Sequence, residues 1–295
     1  MSVASRILKI VTDRAPTLSQ VMSFAACAAV TAAAAFWSAP AVAQGRLEAK
    51  YEVTLSGIVI GKGDWLVDIS EDQYVSTARG GTTGMLKWVS DGKGTTVSVG
   101  RVQNGQPVPA SYKASYTTDK KSEVITIGMS GTGVKELNIE PQPPVVPERV
   151  VVTDAHLRNA VDPLMGSMIR VPGNGDPVSA EACRGGSSIF DGRLRYDLKL
   201  DFKRIDAVKS EKGYRGPVVV CAVYFTPVAG YIPGRPVIKH LESQRDMEAW
   251  FAPVAGTRVL VPYKLVIPTP LGMGMLEATQ FVTAATPAKA AAKTQ

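Results

Sequence analysis

The sequence predicts an all-β protein: a strongly curved antiparallel sheet that wraps one short helix. Three observations predict it. Apolar and polar residues alternate with period 2 through most of the chain, the pattern of a half-buried strand. Glycine and proline make up 47 of 295 residues, about 16% against an average near 12%, which favours strands and turns. Only one region, around residues 154–170, has the apolar spacing of a helix that could dock on such a sheet.

Before the first strand comes an export signal. Arg6, Lys9 and Arg14 precede an apolar run from Val21 to Trp37, followed by Ala39-Pro40-Ala41-Val42-Ala43-Gln44, whose Ala41 and Ala43 suit an A-x-A cleavage site. Residues 1–43 are therefore expected to be a signal peptide, with a periplasmic chain starting at Gln44. No later apolar run has membrane-spanning length, so an uncleaved anchor is the poorer reading. A lipid-modified Cys27 is poorer still, because Phe24 stands where an aliphatic residue is needed and the apolar run 30–37 would stay in the mature protein. Removing residues 1–43 leaves 30 basic against 25 acidic residues, net +5 on 252. That balance suits anionic envelope partners but not nucleic acid, since the densest basic cluster, Lys199 to Arg204 with Lys209, alternates with apolar residues as a strand does.

In the mature chain, Leu47, Ala49, Tyr51, Val53 and Leu55 alternate with polar positions. Gly57 and Gly61 then allow a reversal, and Trp65, Val67 and Ile69 resume the alternation: a hairpin with one wet face. Strands follow at 73–79, 95–101, 110–117, 122–129 and 133–139, separated by turn signals such as Asp91-Gly92 and Asn104-Gly105. These make a meander of about seven strands. The proline-rich run 140–147 must lie at a surface or rim, since proline cannot donate to a sheet ladder. One sheet wrapping on itself gives both halves a shared core, so residues 44–284 are read as a single all-β domain and 285–295 as a flexible Ala/Lys tail.

Asp154 can cap a turn through Asn159, and Asp162-Pro163 reads as an N-cap with proline at the first helical position. Leu164 with Met168, and Met165 with Ile169, recur at i, i+4 until Pro172-Gly173 stops a helix expected over 163–170. Beyond it, strands are expected at 187–190, 193–205, 218–225, 247–251, 264–268 and 275–282, with a turn at Asp191-Gly192 and a loop over 227–236.

Once the signal is removed, Cys183 and Cys221 remain alone in an oxidising compartment, where a disulfide is the expected state. Two free buried thiols, or a redox-active pair, are the alternatives; nothing resembles C-x-x-C.

Taken together, Tyr51-Glu52-Val53 with Gly57-Ile58-Val59-Ile60-Gly61, Asp162-Pro163-Leu164 leading to Arg170, Phe190-Asp191-Gly192-Arg193-Leu194-Arg195-Tyr196, the strand holding Cys221, and Pro270-Leu271-Gly272 resemble a family of bacterial envelope proteins. The family is catalogued as domain of unknown function 3108. The resemblance spans most of residues 47–282. It implies an exported β-rich protein, a β-spiral or half-barrel distantly similar to lipoprotein-carrier folds, and supplies no catalytic residue. Cys183 and the proline-rich run 140–147 depart from the common pattern.

The residues offer little chemistry. His156 and His240 stand 84 positions apart and lack metal-ligand spacing, so surface or capping roles are expected and no metal or cofactor is implied. Ser187 and Ser188 follow two glycines without the G-x-S-x-G pattern of a nucleophile elbow. Carboxylates such as Glu242 and Asp246 would serve a glycan hydrolase only if the fold brought them together in a cleft. Asp162 is expected to cap the helix and Arg170 to suit its C-terminal dipole, with ligand contact as the alternative role. Trp65, Trp88, Tyr231 and Trp250, with Leu164 and Met168, are the candidates for a hydrophobic hollow or its packing. The reading is a non-catalytic periplasmic binding or scaffold protein whose partner is an envelope protein or a hydrophobic ligand. The alternatives are a lipid or lipoprotein carrier, which needs an apolar cavity, and an envelope glycan hydrolase.

Overall fold

In the computed structural model of the protein, the described residues are 44–84, 91–103 and 106–286. The expected signal peptide, Trp88 and the end of the expected tail (287–295) lie outside them. The first seven strands are β1 (Gly45–Leu55), β2 (Ile58–Ile69), β3 (Gln73–Thr82), β4 (Lys93–Gln103), β5 (Gln106–Thr117), β6 (Ser122–Ser130) and β7 (Gly133–Glu140). Each pairs antiparallel with the next, as the alternation requires. The first hairpin turns on Ser56-Gly57, both with positive φ (49° and 81°), a two-residue loop matched to strand twist. Gly61, expected in the turn, instead sits within β2 opposite Val53.

After β7 the chain leaves the sheet through the proline-rich run and makes two one-turn helices, α1 (Asp154–Leu157) and α2 (Pro163–Gly166). Strand β8 (Ile169–Arg170) follows, then a 3-10 turn at Ala180–Cys183 and β9 (Gly185–Phe190). The second half comprises β10 (Arg195–Lys209), β11 (Lys212–Gly213), β12 (Arg215–Ala229), α3 (Pro236–Ser243), β13 (Glu248–Pro253), β14 (Val259–Thr269) and β15 (Gly272–Ala285). Asp191 Oδ1 accepts from the Arg193 and Leu194 amides at 2.8 and 2.7 Å, making the expected turn before β10.

The strands form one sheet in the order β7-β6-β5-β4-β3-β2-β1-β15-β14-β13-β12-β10-β9, with β8 beside β14 and β11 parallel to β15. The first and last strands meet in its middle, Leu47 opposite Thr283 and Val53 opposite Leu276, joining the two halves edge to edge.

The expected strongly curved β-spiral or half-barrel is corrected by this topology. The structure is a mostly antiparallel sheet with a few short helices, not a strongly curved or closed barrel, and β7 and β9 end it without pairing to each other. Curvature is expected from the need to cover the apolar faces with one short docked helix and with the sheet itself. Much of that cover comes instead from the connection between β7 and β9. Its segment 171–183 lies over a cluster of Val171, Val178, Cys183, Val219, Phe251 and Leu260. Arg258 pins it there, donating to the carbonyls of Val171, Pro172 and Gly175 at 2.8, 2.9 and 2.6 Å. A larger cluster holds Leu47, Trp65, Tyr112, Ile127, Leu164, Met168, Phe190, Val261 and Phe281.

The helix expected over 163–170 is corrected too. It ends at Gly166, and Ile169 and Arg170 turn to pair with Leu260 and Val259. Two backbone ladder positions on β14 outcompete another helical turn, which for so short a segment gains little.

Candidate functional site

The residues singled out from sequence are mostly structural. Asp162 is fully buried at the N-cap of α2, where Oδ1 accepts from the Met165 amide at 2.9 Å and Oδ2 from the Ser98 hydroxyl at 2.8 Å. Burial pushes its carboxyl above the ordinary aspartate range, and the Met165 and Ser98 hydrogen bonds hold part of that rise back. Leu164 and Met168 are core residues, and Arg170 lies in β8, away from any helix end. Trp65 is buried and donates Nε1–H to Ser76 Oγ at 2.7 Å. The Tyr231 carbonyl accepts from the Val150 amide, holding the loop after β12. Trp250 lies between the Arg204 guanidinium and the Lys264 ammonium, 5.0 and 5.3 Å from its ring centre. Its Nε1 donates to Glu248 at 3.0 Å, and Glu248 also accepts from Arg204 and Lys203. These bonds, Arg204 foremost, hold the Glu248 carboxyl down at about 2. Cys183 and Cys221 form the disulfide, their Cα atoms 5.5 Å apart, so neither is a free thiol.

The expected lining of a hollow is not where the hollows are. Two adjoining apolar cavities lie along the sheet from β10 to β2; Trp65, Tyr231, Trp250, Leu164 and Met168 line neither, and of the expected helix's apolar stripe only Ile169 lines one. One, of about 380 Å³, is walled by Leu198, Leu200, Val223, Phe225, Phe251 and Leu265. The other, of about 680 Å³, is walled by Val53, Leu55, Ile60, Leu271, Met275 and Leu276. Leu241, Leu265 and Ile267 belong to both. Both volumes fall in the range of small-molecule sites.

Strand register explains why the walls are continuous. Cys221 faces Ala249, Ala249 faces Leu265, Leu265 faces Leu276, and Leu276 faces Val53. Residues directly opposite across neighbouring strands share a face, so five strands contribute one uninterrupted apolar row. Leu200 opposite Val223 lies beside its end, two residues along β10 and β12.

Helix α3 lies over the junction. Ile238 lines the smaller cavity, Val237 and His240 the larger, and Leu241 both, while no residue of the helix is fully buried. It covers the row without being packed into it. His240 Nε2 donates to the Pro268 carbonyl at 2.8 Å, tying the helix to the end of β14. The approach loop is anchored at Gly230, whose φ of 80° and contact with the Arg193 carbonyl leave no room for a side chain. The sequence reading placed 227–236 in a loop and stopped there. Pro236 at the first helical position, with Val237 and Leu241 at i, i+4, was the available signal for α3.

Most polar groups at the cavity edge are already satisfied; Thr54 Oγ1, in the wall of the larger cavity, is buried with no hydrogen-bond partner among the described residues. Glu248 is held by cations, Asp191 by backbone amides, and the Ser167 hydroxyl donates to the Pro163 carbonyl at 2.7 Å. Two larger, more open hollows, one beside β9 and one over the glycine-rich part of β2 to β4, are lined largely by glycine and by polar or charged residues. Among the described residues no group of three or more His, Cys, Asp or Glu side chains could hold a metal ion, and no helix is long and apolar enough to cross a membrane.

A family model described as "Protein of unknown function (DUF3108)" matches residues 50–279. No curated protein matches the chain. Among solved structures, the "Beta-barrel-like Protein of Domain of Unknown Function DUF1849 from Brucella abortus" is similar, with 9% identity and a TM-score of 0.43 over 83% of this chain and 99% of that one.

Proposed function

Because the chain belongs to the DUF3108 family, whose description names no activity, we propose its role from the cavities alone: non-catalytic binding of a ligand with an aliphatic chain. The observation that carries this is the apolar row from Cys221 to Val53 beneath α3, joining two cavities through Leu241, Leu265 and Ile267. Burying aliphatic surface there is favourable by about 25 cal/mol per Å² before binding costs, and apart from the Thr54 hydroxyl the walls ask no polar group of the ligand. This favours the carrier form of the binding role over a scaffold. A scaffold needs a filled hollow, and Leu164, Met168, Trp65 and Trp250, expected to fill it, pack in or against the larger core cluster instead.

We place this role in the periplasm, after export and cleavage before Gln44. Gln44 is itself buried and its carbonyl accepts from the Thr286 amide at 3.1 Å, so the proposed mature chain would begin one residue before β1. The test is native mass spectrometry of protein recovered from the periplasm. A mature mass starting at Gln44, plus an added mass that denaturation releases, is expected. Leu241→Gln, on a helix with no fully buried residue, should reduce that added mass while the far-ultraviolet spectrum stays unchanged. An empty protein that also takes up no soluble fluorescent fatty acid would sink the reading.

A further inference from the structure

The larger cavity reaches the surface between two hairpin tips and α3. The Ser56 amide donates to the Met273 carbonyl at 2.9 Å and its hydroxyl to the Leu271 carbonyl at 2.8 Å, fastening the β1–β2 turn to the β14–β15 turn. Around this joint stand apolar side chains that folding leaves in water: Leu271 is 77% exposed, Ile58 62%, Val237 59% and Met273 44%. Leu271 and Val237 also line the cavity, so the exposed patch and the apolar row are continuous. Isolated exposed apolar residues are ordinary, but two at a cavity edge with two more flanking the adjoining turn joint are not.

Charge lies beside them. Residues 235–245 carry Arg235, Lys239 and Arg245 against the single carboxylate of Glu242. Arg235, the N-cap of α3, and Lys239, within the helix, are exposed, and neither has an ion-pair partner among the described residues. Apolar tips beside unpaired cations are complementary to an anionic lipid surface, where the tips enter the acyl boundary and the cations meet phosphate headgroups.

We propose that this rim, formed by Ile58, Leu271, Met273, Val237, Arg235 and Lys239, docks the protein on an anionic membrane surface with the cavity mouth facing the lipid. The proposal rests on the aliphatic-ligand reading, since docking there lets a chain pass between bilayer and cavity without crossing water.

Residues 44–295 hold every described element and serve for the test. This chain is expected to sediment with vesicles containing about a third phosphatidylglycerol, weakly with pure phosphatidylcholine, and less as salt is raised. Each cation near such a surface contributes about five-fold in affinity, so Arg235→Gln with Lys239→Gln should weaken vesicle binding by about twenty-five-fold. These two side chains do not line the cavity, and uptake of a soluble fluorescent fatty acid should be unchanged. Ile58→Asn with Met273→Asn, outside the cavity walls, should weaken vesicle binding likewise with an unaltered far-ultraviolet spectrum. Failure to sediment with anionic vesicles, or equal binding by these variants, would overturn the docking surface even if fatty acid is taken up. Vesicle binding that depends on the rim, in a protein that takes up no fatty acid, upholds the surface and overturns the ligand reading.

Discussion

The Ser98 hydroxyl on β4 donates to Asp162 Oδ2 at 2.8 Å, joining the middle of the first seven strands to the cap of α2. Ser98 in turn accepts from the Tyr74 hydroxyl at 3.0 Å. A carboxylate that sequence reasoning treats as a local cap is thereby a buried link between segments 64 residues apart, and removing it does more than uncap a helix.

Asp162→Ala is expected to cost about 2 to 4 kcal/mol, since it removes a cap and leaves the Ser98 donor unsatisfied in the core. Asp162→Asn keeps an acceptor for the Met165 amide and should cost under about 1 kcal/mol near neutral pH. Leu164→Ala, which opens a cavity in the larger core cluster, should cost about 2 to 5 kcal/mol. Urea melts of the three variants give the ranking. An alanine and an asparagine variant of equal stability would show that the link contributes nothing.

The same carboxylate sets a pH dependence. Burial raises its folded value above the ordinary 3.8, so the native state binds the proton more tightly than the unfolded chain. This site's contribution to stability is therefore greatest in acid and declines as pH rises through the folded value. Asp162→Asn removes that decline, and its stability relative to wild type should improve as pH rises above the ordinary 3.8 and level off once the folded value is passed. A difference that does not change with pH would contradict the sign.

Glu248 has the opposite sign. Its carboxyl is held at about 2, below the ordinary 4.5, chiefly by the Arg204 guanidinium. The stabilisation is complete above the ordinary value and is lost as pH falls from about 4.5 towards 2. Glu248→Gln should lower the melting temperature at pH 7 and converge on wild type near pH 2. Parallel melting curves at all pH values would show that the cluster around Trp250 is not coupled to folding.

The disulfide fastens the 3-10 turn before β9 to the middle of β12, next to Ala249 in the apolar row. Residues 44–295 should therefore yield no free thiol under denaturing, non-reducing conditions. Closing a loop of this length stabilises by about 4 kcal/mol in the chain-entropy model. The paired Cys183→Ser, Cys221→Ser variant should lose a comparable amount in a denaturant melt. Two titratable thiols per chain would contradict the pairing.

What the sequence determined by itself is whatever depends on neighbours along the chain. Alternation with period 2 placed the strands from Leu47 to Ile139, and glycine-bearing turns made successive strands adjacent, because a short reversal leaves a strand no other partner. Asp162-Pro163 marked a helix start and two leftover cysteines marked a bridge. The tertiary structure decided what depends on distant segments. Whether residues 167–170 continue a helix or join a sheet turns on β14, about ninety residues later, offering free ladder positions to Ile169 and Arg170. Which apolar residues pack and which line a cavity is fixed by cross-strand register. Leu265, Leu276 and Val53 form a wall only because β14, β15 and β1 lie side by side, and α3, which starts at Pro236, covers it. Alternation identifies an apolar face but carries no information on what, if anything, lies against it.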